Sequence, residues 1–116
     1  MKKPVIPQPA AVAVRAANSF KRSLKRLLKK YASLDDDVLR LISELEQNPQ
    51  LGEPLSRDCF KLRFAIRSKG RGKSGGARVI TLVVLADATV TLLTLYDKSE
   101  KEDLLPGELD ELLASL

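Results

Sequence analysis

The chain has 116 residues, a net charge of +5, one cysteine and no histidine. This length suits one small domain with a single hydrophobic core. One cysteine excludes a disulfide framework and is typical of a protein in the reducing cytoplasm. Without histidine, the usual acid–base residue at neutral pH is missing and a zinc site is not expected, and nothing else in the sequence predicts a metal or cofactor.

Charges alternate in blocks along the chain. Residues 1–34 carry nine Lys/Arg and no acid, whereas residues 35–58 carry seven acids and two bases. Residues 59–86 carry seven Lys/Arg and again no acid, and the remainder carries eight acids and two bases. A long cationic segment without counter-charge predicts a polyanionic partner, with nucleic acid first and an acidic protein second.

The N-terminal segment contains three prolines within residues 1–9, which we expect to form a flexible tail before a single domain over residues 10–116. Its apolar run covers only residues 10–14, whereas a secretory signal needs about 7–15 apolar residues. The longer apolar stretch at residues 79–96 is interrupted by Asp87 and by alternating threonines. It therefore predicts two strands and no membrane span.

Residues 11–17 can form a short strand, and two helices are predicted to follow. In the first helix, apolar residues recur at helical spacing with Lys/Arg between them: Phe20, Leu24, Leu27, Leu28 and Tyr31. The second helix is expected to start at Ser33, with Asp36 completing a capping box, and to stop at Asn48-Pro49. The short break between them predicts an antiparallel helical hairpin.

The pattern changes to period two at residues 59–67, where Lys61, Arg63 and Arg67 alternate with apolar residues. Two further strands, ARVITLVVL and TVTLLTLY, are predicted to meet in a turn near Asp87. Leucines at residues 109, 112, 113 and 116 predict a short C-terminal helix. The order β-α-α-β-β-β-α predicts an α+β fold with a mainly antiparallel twisted sheet and the helical hairpin on one face.

A glycine-rich loop, SKGRGKSGGA, connects two of these strands. Its Gly72-Lys73-Ser74 is not a P-loop, because Arg67 stands where the first glycine belongs and a strand follows in place of a helix. We therefore expect no nucleotide cofactor. A flexible loop that carries this much charge predicts contacts to RNA phosphates from four residues: Arg67, Lys69, Arg71 and Lys73.

The polar face of the predicted sheet collects cations. Lys61 and Arg63 point to the same side of their strand, and Arg78 opens the next strand. Lys98 follows the last strand, close to Tyr96. Like charges on adjacent strands repel, so this arrangement predicts a bound anion.

The chain resembles the RelE/ParE superfamily of bacterial toxins in four segments: SFKRSLKRLLKKYASL, NPQLGEPL, FKLRFAIRSKGRGKSGGARVI and LLTLYDKSEKEDL. It is most similar to the RelE-like and HigB-like toxins of type II toxin–antitoxin systems, over about Val12 to Leu116. The resemblance implies the small RelE-like fold and, for the RNA-cleaving branch, an endoribonuclease that cuts mRNA on the ribosome. The implied partners are a cognate antitoxin, mRNA and the ribosome with its rRNA.

By this resemblance, Lys61 and Arg63 match a strand lysine and its partner two residues later, where RelE-like toxins prefer two lysines. Arg78 matches the arginine that opens the following strand, and Lys98 matches the basic residue after the last strand. The C-terminal tyrosine of the family is replaced by Leu104.

Tyr96 is the nearest remaining tyrosine. With Asp97 it falls where HigB-like toxins have a Tyr/Asp pair, although the histidines of some relatives are absent.

Metal-free RNA cleavage needs a base for the 2′-hydroxyl, cations for the charge on phosphorus and an acid for the 5′-oxygen. Lys61 is the leading candidate for the base, because crowding by Arg63 and Arg78 would favour a neutral amine. These two arginines would stabilise the phosphate, and Lys98 or Tyr96 would donate the proton. We expect the ribosome to position the mRNA.

Two other functions remain open from the sequence. A ParE-type toxin would poison gyrase without nuclease activity, although it does not need four clustered cations. A non-catalytic module would use the same basic face only to bind RNA. Cyclic phosphate ends on RNA would distinguish cleavage from binding, and DNA damage would indicate gyrase poisoning.

Overall fold

The structure is a computed structural model that describes residues 12–116. The flexible tail expected for residues 1–9 lies outside the described residues. The helices and strands follow in the order β1 (Ala13–Ala16), α1 (Asn18–Leu28), α2 (Leu34–Gln47), β2 (Glu53–Pro54), β3 (Cys59–Phe64), β4 (Ala77–Val84), β5 (Thr89–Asp97) and α3 (Glu108–Ala114).

The five strands form one sheet in the order β1-β5-β4-β3-β2. Strand β1 runs parallel to β5, and the other neighbouring pairs are antiparallel. The predicted α+β fold is therefore confirmed, with one added strand. Strand β2 has only two residues, one of them Pro54, so it offers no alternation that a sequence pattern could detect.

The helical hairpin packs on one face of the sheet, as the two periodicities predict. Phe20 and Leu27 of α1 and Leu41 of α2 are buried against sheet residues such as Leu62 and Val79. Burying a side chain of this size contributes about 1.5–3 kcal/mol, so this core is the main source of stability. It also fixes which side chains of β3 and β4 point away from the helices.

The opposite face has an apolar cluster of its own, formed by Cys59, Ile80, Leu93 and Tyr96. Leu93 is the extra residue of a β-bulge, because Ile80 pairs with Thr94 while Thr81 pairs with Leu92. The bulge places Leu93 in this cluster. The C-terminal segment covers the cluster with Leu104 and with three leucines of α3: Leu109, Leu112 and Leu113. Part of the face that the sequence predicted as polar is therefore covered. None of the helices within residues 12–116 is long and apolar enough to cross a membrane.

Candidate nucleic-acid interface

Three side chains of the predicted site form a row across the sheet. Arg63 of β3 lies directly opposite Arg78 of β4, and Arg78 lies opposite Tyr96 of β5. Lys61 is two residues before Arg63, opposite Ile80, and so lies on the same face. Lys61, Arg63 and Arg78 thus lie on one face, away from the helical hairpin, as expected, whereas their chemical roles stay predictions.

Lys61 has acidic neighbours that the sequence did not indicate. Its Nζ lies 3.4 Å from Asp103 Oδ2 and 3.5 Å from Glu53 Oε2. Glu53 comes from the unpredicted strand β2, and Asp103 comes from the segment that leads to α3. The expectation of purely cationic surroundings for Lys61 is therefore wrong, because two carboxylates far away in the sequence fold beside it.

Arg78 is buried under the glycine-rich loop and anchors it by hydrogen bonds. Its guanidinium donates to the carbonyl oxygens of Lys73, Ser74 and Ala77 over 3.0 to 3.1 Å. Burial, followed by the charge of Arg63, lowers the pKa of Arg78. Arginine nevertheless stays charged at neutral pH. Arg78 thus places a positive charge beneath the loop while most of its donors serve the fold.

A second anchor of the loop is Asp97, which is completely buried at the end of β5. Its carboxylate accepts hydrogen bonds from Lys69 Nζ at 2.7 Å, from the Ser99 N–H at 2.9 Å and from the Tyr31 hydroxyl. Burial alone would raise the pKa of Asp97, but the hydrogen bonds from Lys69, Tyr31 and Ser99 outweigh it and hold the pKa well below the ordinary range. Lys69 is therefore a partly buried partner of Asp97, whereas the sequence predicted a cation free in a flexible loop.

A third anchor is Asp37, in the first turn of α2. Its Oδ2 accepts the Ser33 hydroxyl at 2.7 Å and the Arg67 N–H at 3.1 Å, and Ser68 N–H donates to the Ser33 hydroxyl oxygen at 2.8 Å. The capping box expected between Ser33 and Asp36 is thus wrong, because Ser33 links α2 to the 3-10 turn at Arg67–Lys69. The loop begins from a fixed turn.

The far end of the loop depends on Gly76. A Cβ at this position would lie 2.1 Å from the Phe64 carbonyl oxygen, closer than non-bonded atoms approach. Gly76 N–H also lies in a turn with the Lys73 carbonyl, and Lys98 N–H donates to the Gly76 carbonyl. The glycine lets the loop return tightly against β3 and β5.

These anchors shape an open cleft with a volume of about 590 Å³. Its lining includes Lys69, Arg71 and Lys98, together with Ser74, Gly75 and Ser99. Three cations thus meet hydroxyl and backbone groups in a space that falls in the usual range for ligand sites. The structure brings Lys98 to this cleft, together with two of the four loop residues expected to contact RNA.

The other two, Arg67 and Lys73, line a second cavity of about 140 Å³ with Arg63. Arg40 of α2 also lines it. Arg40 could not be predicted from the sequence, because it lies in an acidic block and its helix gave no sign of facing the loop. Within residues 12–116, no carboxylate forms an ion pair with six of the cations around the two cavities: Arg40, Arg63, Arg67, Arg71, Lys73 and Lys98.

Tyr96 is covered, in contrast to Lys98. Only 4% of Tyr96 is exposed, and Lys101 Nζ lies 5.2 Å from its ring centroid. Its hydroxyl has no hydrogen-bond partner among the described residues. Burial, with a smaller effect of Asp103, raises the pKa of Tyr96 to about 12. The hydroxyl is therefore protonated at neutral pH but closed off by the C-terminal segment.

No protein-family model matches the chain. Among solved structures, it is similar to the toxin–antitoxin complex RelBE2 from Mycobacterium tuberculosis, with a TM-score of 0.58 and 21% identity over 78% of this chain and 94% of that chain. It is also similar to the isolated E. coli RelE toxin, with a TM-score of 0.55 and 15% identity over 91% of this chain and 100% of that chain. The intact E. coli RelBE toxin–antitoxin complex gives a TM-score of 0.57 and 12% identity over 75% and 96% of the two chains. The chain therefore has the fold of the RelE toxins.

Proposed function

We propose that the chain is the toxin of a type II toxin–antitoxin system and that it cleaves mRNA without a metal ion, on the ribosome. The observation that carries this proposal is the set of unpaired cations around the cleft and the second cavity, on a RelE-like fold. Grouped cations without counter-charges are costly unless a polyanion binds them. RNA supplies such charges at every nucleotide.

The proposed reaction needs only side chains of the chain and the RNA itself. The 2′-hydroxyl loses its proton and attacks the adjacent phosphorus, and the bond from phosphorus to the 5′-oxygen breaks. The products are a 2′,3′-cyclic phosphate and a 5′-hydroxyl. Negative charge builds up on the phosphate oxygens in the transition state, so cations preorganised around the phosphate accelerate the reaction.

The roles follow from position. Arg63 is exposed and can contact the phosphate directly, while Arg78 adds charge from beneath the loop. Lys98 is the proposed proton donor because it lines the open cleft, whereas Tyr96 is covered. Lys61 remains the proposed base, and to act it must leave its ion pairs with Glu53 and Asp103 and lose a proton, because an ammonium cannot accept one.

The ribosome would supply what the isolated chain lacks. The cleft is open, and Arg78 uses its donors on the loop, so an isolated chain holds an RNA strand only loosely. Positioning of the mRNA by a second macromolecule can lower the barrier by several kcal/mol. We therefore expect faster cleavage on translating ribosomes than on free RNA.

The proposed partner is a cognate antitoxin. Two of the similar structures are complexes of a toxin with its antitoxin. The net charge of +5 and the exposed cations of α1 favour an antitoxin with an acidic segment that neutralises the basic surface. Co-expression with the adjacent open reading frame should restore growth and give a complex that dissociates at high salt.

The test is analysis of RNA ends. The purified chain, with EDTA, is incubated with ribosomes programmed with an mRNA, and the 3′ ends are examined for cyclic phosphate. A single 2′-deoxy nucleotide at the cleavage position should abolish the cut. Lys98→Gln should slow cleavage by at least tenfold, as expected for loss of a general acid. Lys21→Gln, on the exposed side of α1, is the matched control and should cleave normally.

Non-catalytic RNA binding is the second candidate function. It is favoured by the carboxylates beside Lys61 and by the use of Arg78 as a structural donor. RNA binding without cyclic phosphate ends, on ribosomes as well as on free RNA, would establish it against the nuclease. Gyrase-dependent DNA breaks on expression would support a ParE-type toxin.

A further inference from the structure

The glycine-rich loop separates the cleft from the second cavity and lines both of them. Arg71 and Ser74 line the cleft, whereas Lys73 lines the second cavity. Arg78 donates hydrogen bonds to the Lys73 and Ser74 carbonyl oxygens and so fixes the position of this loop. A polymer that crosses the loop therefore meets cations on both sides of it.

Four cations from separate parts of the fold line the second cavity. Arg40 comes from α2, Arg63 from β3, Arg67 from the 3-10 turn and Lys73 from the loop. All four are exposed, and none forms an ion pair within the described part of the chain. Convergence of like charges from separate elements costs free energy unless an anion is bound.

The carboxylates in the same cavity offset only part of this charge. Asp37 is buried and uses one oxygen for the Ser33 hydroxyl and the Arg67 N–H. Glu44 is exposed at the rim and lies in none of the ion pairs found among residues 12–116. Four cations and two carboxylates leave an excess of two positive charges in the lining. Asp37 also fixes the Arg67 backbone, and so the position of that side chain at the cavity.

Size distinguishes the two cavities. The cleft of about 590 Å³ has room for a nucleotide, whereas the second cavity of about 140 Å³ is smaller than a typical small-molecule site. A single phosphate group suits a small cavity with three arginines, because the planar guanidinium donates two parallel hydrogen bonds to phosphate oxygens.

We propose that the second cavity binds one backbone phosphate of RNA, on a nucleotide that flanks the one in the cleft, and that Arg40 is a contact to this phosphate. This deepens the proposed function and rests on it, since it assumes that RNA occupies the cleft. RNA is favoured over an acidic peptide because the occupant must place anions on both sides of one loop, and a polynucleotide carries a phosphate at every step. Arg40 thus extends the interface from the sheet to the helical hairpin.

The experiment compares Arg40→Gln with Arg22→Gln, an equally exposed arginine on α1 outside both cavities. Both variants keep the same net charge. Binding to 2′-O-methyl oligonucleotides, which cannot be cleaved, is measured over a range of salt concentrations. The ligands are a dinucleotide, which has one phosphate, and a pentanucleotide, which can span the loop.

For the pentanucleotide, Arg40→Gln should lower the slope of log K against log salt by about 0.7, the value for one phosphate contact on a single strand. The dinucleotide should bind equally to Arg40→Gln and to the unchanged chain, because the cleft holds it. Arg22→Gln should leave the pentanucleotide slope near that of the unchanged chain.

An unchanged pentanucleotide slope in Arg40→Gln, or an equal loss in Arg22→Gln, would overturn the subsite. If Arg40→Gln weakened the binding of a polyglutamate peptide and left RNA binding unchanged, the cavity would be assigned to an acidic protein instead. Cleavage is recorded separately. RNA cleavage with an unchanged Arg40→Gln slope would refute the subsite alone, and the predicted slope change without any cleavage would refute the nuclease alone.

Discussion

Arg63 and Arg78 lie directly opposite each other on β3 and β4, and only Arg78 is buried. Two arginines at such a pair repel each other, and the charge of Arg63 contributes to the lowered pKa of Arg78. The pair persists because the Arg78 guanidinium satisfies three carbonyl oxygens, two of them in the loop. One arginine thus supports the loop while the other remains available to a ligand.

Arg78→Ala should therefore act first on the fold. It leaves three carbonyls without their donor, and we expect a loss of about 3 kcal/mol in the free energy of unfolding. Urea unfolding at pH 7 measures it, and limited trypsin digestion should show faster cleavage at Arg71 and Lys73. Arg63→Ala, at an exposed position, is the control and should lose less than about 1 kcal/mol. Equal stabilities of the two variants would contradict the supporting role of Arg78.

Asp97 predicts a characteristic dependence of stability on pH. Its pKa in the folded protein lies below the ordinary value of 3.8, so its contribution to stability is present above about pH 4 and is lost as the pH falls through the folded pKa. Asp97→Asn should cost about 3 kcal/mol at pH 7, because Lys69 loses its buried partner. The penalty should shrink below pH 4, which denaturant unfolding at several pH values can follow.

Glu100→Gln provides the control for this measurement. Its ion pair with Arg26 is exposed, so the loss should stay below about 1 kcal/mol. An Asp97→Asn penalty of the same small size at pH 7 would show that Asp97 does not anchor the loop.

Tyr96 should make the free energy of unfolding depend on pH in the alkaline range. Its pKa rises from 10.0 to about 12 on folding, so its contribution is present below pH 10 and is lost as the pH rises through 12. Between pH 10 and 12, the free energy of unfolding should fall less in Tyr96→Phe than in the wild-type protein. At pH 7 it should differ by less than about 1 kcal/mol, because the hydroxyl has no partner among residues 12–116.

The same variant tests the choice of proton donor. With Lys98 as donor, Tyr96→Phe should keep most of the cleavage rate in the ribosome assay. A loss as large as that of Lys98→Gln would show that the C-terminal segment opens and that Tyr96 donates the proton.

The loop cations should contribute unequally to RNA binding. Arg71 and Lys73 are exposed, whereas Lys69 is bound to Asp97. Replacing both Arg71 and Lys73 with glutamine should lower the salt slope of binding by about 1.4, that is, by two contacts on a single strand. Lys69→Gln should reduce the free energy of unfolding and change the slope little. A slope change of about 0.7 in Lys69→Gln, the value for one contact on a single strand, would mean that Lys69 leaves Asp97 when RNA binds.

Period-two alternation predicted that Lys61 and Arg63 share one face, with Arg78 on the neighbouring strand, because strand side chains alternate whatever surrounds them. It could not predict Arg40, whose place beside the loop depends on how α2 crosses the end of β3. Nor could it predict that Asp97 is buried, since an acid at a strand end usually lies in solvent. Sequence periodicity thus predicted the elements other than β2 and the cationic side of β3, while contacts between distant segments determined the partners of each cation.

The position of Cys59 has a practical consequence for measuring this loop. It is the one cysteine in the chain, it is buried under the C-terminal segment, and burial raises its pKa, so its thiol reacts slowly with maleimides. A cysteine introduced at Gly72, where an added Cβ meets no atom within 4 Å, would then be labelled selectively. The positive φ of 62° at Gly72 makes that change cost about 1 kcal/mol. A fluorophore there would report the approach of RNA or antitoxin in real time, without removing any native thiol.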